Sequence, residues 1–161
     1  MQFFLFPMLD VLIYTFLLSI SPLGEARAGI PYAVLNDIPI FWAFLVGLLG
    51  NLLIFPLIMW LIDTFSQKLW PNRRYRKGVV HFSRRAKKGV GGSVEKYGFW
   101  GLMVFVMIPL PGTGAYMGAI AAYVLKIERR KAFLATSLGV LVSCVIMAVG
   151  SYYGNLGLDS L

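Results

Sequence analysis

Glu25 and Arg27 lie in the stretch SPLGEARAGIP, residues 21–31, between two apolar segments and beside two prolines and two glycines. An ionised side chain at the centre of a bilayer costs about 2.5–3.5 kcal/mol on insertion scales, so each must be paired, solvated by a cavity or neutral. Arg27 can hold an anion, and Glu25 can take up and release a proton in the same cavity. Two residues apart on a regular helix, they point to different faces, so a direct mutual ion pair is not expected. Glu25 suits a helix N-terminus, whereas Arg27 opposes the helix dipole and asks for some other anion. The competing structural reading makes the two part of a buried network that holds the fold together.

Further candidates lie in the other apolar segments. Asp10, halfway along the first, could be a second proton site. Asn51, in the middle of 40–62, could bond to a neighbouring helix or touch substrate. The run Pro109-Leu110-Pro111-Gly112-Thr113-Gly114 has no ionisable side chain, but the helix after it would present free N–H groups that attract anions. Thr113 could add a hydroxyl there and Tyr116 a phenol, while Gly114-x-x-x-Gly118 has the spacing that lets helices pack closely.

No G-x-S-x-G, H-E-x-x-H or phosphate-binding Walker loop occurs, so neither an enzyme nor a cofactor is expected. The single cysteine, Cys144, sits in an apolar segment; it allows no intrachain disulfide, and no metal-ligand cluster accompanies it. His81 reads as a solvated loop residue. Transport, if it occurs, would draw on a proton or sodium gradient or run downhill.

The elements that must carry these residues follow from composition. Of 161 residues, 58% are hydrophobic and 14% charged, against about 25% charged in a soluble domain. Apolar segments cover 3–20, 40–62, 98–125 and 132–153. About 20 apolar residues span hydrocarbon, so 40–62 and 132–153 qualify as spanning helices. The fold class expected is an all-α integral membrane protein forming one membrane domain over 1–161. Ala26-Arg27-Ala28 imitates a cleavage site, but no basic residue precedes the apolar run, so the first segment is expected to stay.

Residues 16–52 resemble 105–141 at an offset of 89, with pairs such as Phe16/Phe105, Pro22/Pro111, Gly29/Gly118, Ala33/Ala122, Ala43/Ala132 and Gly50/Gly139. Each unit has an apolar arm, a break, a short arm and a spanning helix. The first break contains Pro22 and Gly24; proline removes a backbone donor and glycine lets the chain reverse. The arms after the breaks are too short to span, which predicts re-entrant helical hairpins over 3–35 and 98–125. Repeat 1 then covers about 1–62 and repeat 2 about 98–153. Ten Lys or Arg fall between residues 66 and 96, and Lys126, Arg129, Arg130 and Lys131 follow the second hairpin. Cytoplasmic loops concentrate such residues, so both clusters are expected inside, both termini outside and the repeats inverted. Asp37 and Asp63 are expected near water, Glu128 in a local ion pair, and Trp42, Trp60, Trp70 and Trp100 at the interfaces. The basic loop 66–96 is expected to lie on anionic headgroups, with no nucleic acid required.

At PLGEARAGIPYA and PLPGTGAYMGAIAAYVL the chain resembles the small multidrug export protein family, which looks like a compact relative of the DedA superfamily. The resemblance implies two oppositely oriented re-entrant hairpins, each followed by a spanning helix. It also implies movement of lipid-phosphate carriers or proton-dependent export; Glu25 matches the acidic hairpin position of DedA proteins, but the hairpin arginine here is Arg27, and hairpin 2 has none before its Lys/Arg cluster. The expectation is a multi-pass transporter or flippase in a prokaryotic plasma membrane, with a midplane site between the hairpins. Its partners would be membrane lipids, a lipid phosphate or small amphiphile, and a coupling proton or sodium ion, in a homodimer or larger homo-oligomer. The alternatives are a drug exporter and a non-transporting protein that binds lipids or a partner through its basic loop.

Overall fold

In a computed structural model, residues 5–22, 24–69, 98–109 and 113–159 are described, and among them there is no strand. Among the described residues six helices follow in order: α1 Leu5–Ile20, α2 Glu25–Leu35, α3 Ile40–Leu69, α4 Phe99–Met107, α5 Ala115–Val124 and α6 Arg129–Asp159. Two stretches, Ile40–Phe65 and Arg129–Leu156, are long and apolar enough to cross a membrane. Both long helices exceed the apolar segments 40–62 and 132–153, because backbone hydrogen bonding continues once the side chains turn polar. Thr64, for example, returns its hydroxyl to the Trp60 carbonyl at 2.9 Å. Of the basic loop expected at 66–96, residues 66–69 are helical and 70–96 lie outside the described residues, as do His81, Trp70, Pro111 and Gly112.

The chain forms two compact units, one of residues 1–53 with 140–161, the other of residues 54–139. Each holds one hairpin, the first part of the long helix that follows it and the last part of the other long helix.

In the first unit, α1 stops before Pro22, which disfavours helical geometry at Ser21. The Ser21 carbonyl then accepts from the Glu25 N–H at 3.0 Å, turning the chain into α2. A Cβ on Gly24 would lie 2.9 Å from that of Ala28, so the turn has no room for a side chain there. α2 lies on α1 through Gly29, where an added Cβ would collide with the Ser19 hydroxyl and come within 2.7 Å of the Thr15 carbonyl. α3 packs on both arms: Gly47 faces Ile30, and a Cβ on Gly50 would lie 2.9 Å from that of Ser19.

The second unit uses the same devices. Gly118 of α5 faces Val106 of α4, and a Cβ on Gly139 of α6 would lie 2.7 Å from the Met103 carbonyl and 2.9 Å from the Val106 Cβ. Both short helices end in the same cap. Ile38 donates to Ala33 at 3.1 Å and Ile127 to Ala122 at 3.0 Å, while Asp37 donates to Val34 and Lys126 to Tyr123, both at 3.2 Å. These 6→1 and 5→2 bonds form a Schellman cap, and Asp37 and Lys126 take the left-handed backbone it needs, at φ 60 and 55. The caps sit 89 residues apart. In the first arms the corresponding contacts, Ser19 with Gly50 and Val106 with Gly139, sit 87 apart. The second break is longer, seven residues against four, which accommodates the two-residue change of register.

The remaining placements agree with elementary chemistry. Trp42, Trp60 and Trp100 are exposed, and Glu128 pairs with Lys131 at 3.0 Å. Asp63 is held by Arg129 through two hydrogen bonds, at 2.6 and 2.8 Å, an ion pair 66 residues apart in sequence.

Candidate functional site

Buried polar side chains are unevenly distributed. Among the described residues Thr15, Ser19, Glu25, Asn51 and Ser143 belong to the first unit and Thr136 to the second. Two of the five are spent on their own helix: Thr15 donates to the Val11 carbonyl and Ser19 to the Thr15 carbonyl, each at 2.7 Å. Of the other three, Glu25 faces Arg27 and Asn51 holds a buried acceptor.

Glu25 opens α2 and is 7% exposed. Its φ of 54 is left-handed, a conformation that costs a side-chain-bearing residue about 1–2 kcal/mol. The tight Ser21–Gly24 turn imposes it. This backbone corrects the expectation that Glu25 and Arg27 would diverge: Glu25 departs from helical geometry, so the two-residue rule does not apply. Its Oε2 lies 3.9 Å from Arg27 Nε, with the two side chains 9% and 14% exposed. The distance is long for a hydrogen bond, but charges this close in a medium of low dielectric still interact strongly.

Cys144 of α6 is buried within electrostatic range of both Glu25 and Arg27. Sequence reasoning left Cys144 without a role. The adjacent small polar pair Ser143-Cys144 in an otherwise apolar helix was the available signal.

Asn51 is 3% exposed, and its Oδ1 has no hydrogen-bond partner among the described residues. It shares a face of α3 with Gly47 and Gly50, the face turned to α1 and α2. Asp10 is instead exposed on α1, beside the exposed Leu9, Ile13 and Tyr14. In the second break, Thr113 donates its hydroxyl to the Ile108 carbonyl at 2.7 Å, so it closes the turn. Pro22 is exposed, Gly24, Pro109 and Tyr116 are half-buried, and Gly114 is buried at the start of α5. No group of three His, Cys, Asp or Glu able to hold a metal occurs among the described residues.

This arrangement provides a buried acid–base pair, a nearby thiol and, on the same unit's third helix, an amide oxygen open to a donor. It suits binding and proton exchange.

The family model described as "Putative small multi-drug export protein" matches residues 25–146, a segment that begins at Glu25 and contains Arg27, Asn51 and Cys144. No curated protein and no solved structure matches the chain. Because the match covers more than half of the sequence, the chain belongs to the small multi-drug export protein family.

Proposed function

We propose that the protein is a gradient-coupled membrane transporter whose exchange site is the Glu25–Arg27 pair. The carrying observation is that a carboxylate and a guanidinium, both largely buried, lie 3.9 Å apart at a strained turn. With Glu25 ionised, Arg27 has an internal counter-charge. A proton on Glu25 removes it, and Arg27 then attracts an external anion. A proton and an anion therefore bind together and travel the same way. An amphiphile with an anionic head, such as an isoprenoid-lipid phosphate in a DedA-like flippase, fits a cationic group among apolar helices. Re-entrant hairpins in inverted orientation would expose the site to either side in turn. The Asp63–Arg129 pair supports that topology, since it holds the end of α3 level with the start of α6.

The family match favours a second reading, export of small cationic drugs, in which the cation competes with the proton for Glu25. pH separates the two. Anion binding should strengthen as pH falls and Glu25 becomes protonated, whereas cation binding should weaken. The test uses decyl sulfonate and decyltrimethylammonium, whose charges are constant between pH 6 and 8, and follows the melting temperature of the purified protein. Decyl sulfonate should stabilise the parent more at pH 6 than at pH 8. Glu25→Gln should bind it equally at both pH values, and Arg27→Gln should lose the response. An Arg27→Gln variant that responds like the parent would sink the anion site. Stabilisation by the cation alone, stronger at pH 8, would establish the drug-export reading.

A further inference from the structure

One end of the second unit carries a dense positive charge, half of it uncompensated. Lys126, Arg129, Arg130 and Lys131 are all exposed. The only carboxylates paired with them among the described residues are Asp63, on Arg129, and Glu128, on Lys131. Four cations against two carboxylates leave a net charge of +2, and Lys126 and Arg130 have no ion-pair partner among the described residues. Arg129, Arg130 and Lys131 occupy the first turn of α6. Cations are disfavoured there, since the helix N-terminus is itself positive. An external anion would relieve both the side chains and the dipole.

Three features identify that anion. The patch stands where the apolar stretch Arg129–Leu156 begins, the level at which a bilayer offers its phosphates. Trp60, one turn before Asp63, is 63% exposed and Trp100, in the first turn of α4, is 64% exposed. Exposed tryptophans near the ends of apolar helices suit the headgroup boundary. The patch is also braced: the bidentate Asp63 pair fixes Arg129, and the Schellman cap fixes the backbone at Lys126.

We propose that this end of the second unit is a docking surface for anionic phospholipid headgroups, with Lys126 and Arg130 meeting the phosphates and the Arg129–Asp63 pair bracing the turn. The surface is separate from the Glu25–Arg27 pair and does not depend on the transport reading. Each cation near an anionic headgroup is worth about five-fold in affinity, so removing two should weaken binding about 25-fold.

The full chain in neutral detergent is titrated with dioctanoyl phosphatidylglycerol or phosphatidylcholine while its melting temperature is followed. Phosphatidylglycerol should stabilise the parent more than phosphatidylcholine, with the excess lost at high salt. The concentration needed should rise about 25-fold in Lys126→Gln/Arg130→Gln. The pH-dependent part of the decyl sulfonate response should persist in Lys126→Gln/Arg130→Gln and vanish in Arg27→Gln, which separates this surface from the proposed transport site. Equal responses to the two lipids, or an unchanged midpoint in Lys126→Gln/Arg130→Gln, would each overturn the proposal. Should the double variant not fold, Arg130→Gln alone gives the same decision through a shift of about five-fold.

Discussion

At the residue scale, the buried acceptor of Asn51 is one feature that packing leaves unexplained. A buried polar atom without a partner costs stability, about 1–3 kcal/mol, so an apolar side chain of similar size should be tolerated or better. We expect Asn51→Leu to melt at or above the parent temperature while transport falls, as checked by thermal unfolding alongside uptake into proteoliposomes. A folded Asn51→Leu protein with undiminished transport would assign the amide to neither substrate nor proton. Glu25 presents a related case: its left-handed backbone is strain held at the site itself, and it is what brings the carboxylate to Arg27. The presence of a buried acid and base could be read from SPLGEARAGIP. Their proximity could not, because it depends on the left-handed backbone at the start of α2, which no residue pattern announces.

At the scale of elements, glycines set how closely the helices approach. A Cβ at Gly139 would lie 2.7 Å from the backbone oxygen of Met103, which cannot swing aside as a side-chain tip can, while Gly154 has open space around it. Gly139→Ala should therefore destabilise by about 1–3 kcal/mol, whereas Gly154→Ala should stabilise by up to about 1 kcal/mol through helix propensity. Chemical denaturation in detergent checks the pair, and equal behaviour of the two variants would contradict the packing described. Gly29, Gly50, Gly118 and Gly139 were visible in the sequence as matched positions at one offset. The change to 87 in the first arms was not. An ungapped comparison cannot see a longer break, and the added length matters only once the arms are packed.

At the scale of the whole molecule, topology is the property with most consequence for transport. The proposed arrangement puts the α2–α3 corner on one side of the membrane, and the end of α3 and the α5–α6 corner on the other. In a Cys144→Ala background, a cysteine at Asp37 should react with an impermeant maleimide only from outside. Cysteines at Thr64 and Glu128 should react only from the cytoplasm. Labelling of positions 64 and 128 from opposite sides would exclude a re-entrant second hairpin.

The membrane class, the two long apolar helices and the breaks at Pro22 and Pro109 were all legible without coordinates. Each depends on local properties: hydropathy over about twenty residues, a missing proline donor, a glycine without Cβ. The tertiary structure alone decided which polar groups meet. It set Glu25 against Arg27 and brought Cys144 near both, it left Asp10 on the surface, and it joined Asp63 to Arg129 across 66 residues. The physical reason is common to all of these. Side-chain partners are selected by packing between distant segments and by backbone departures from ideal helix, neither of which leaves a periodic trace in the chain.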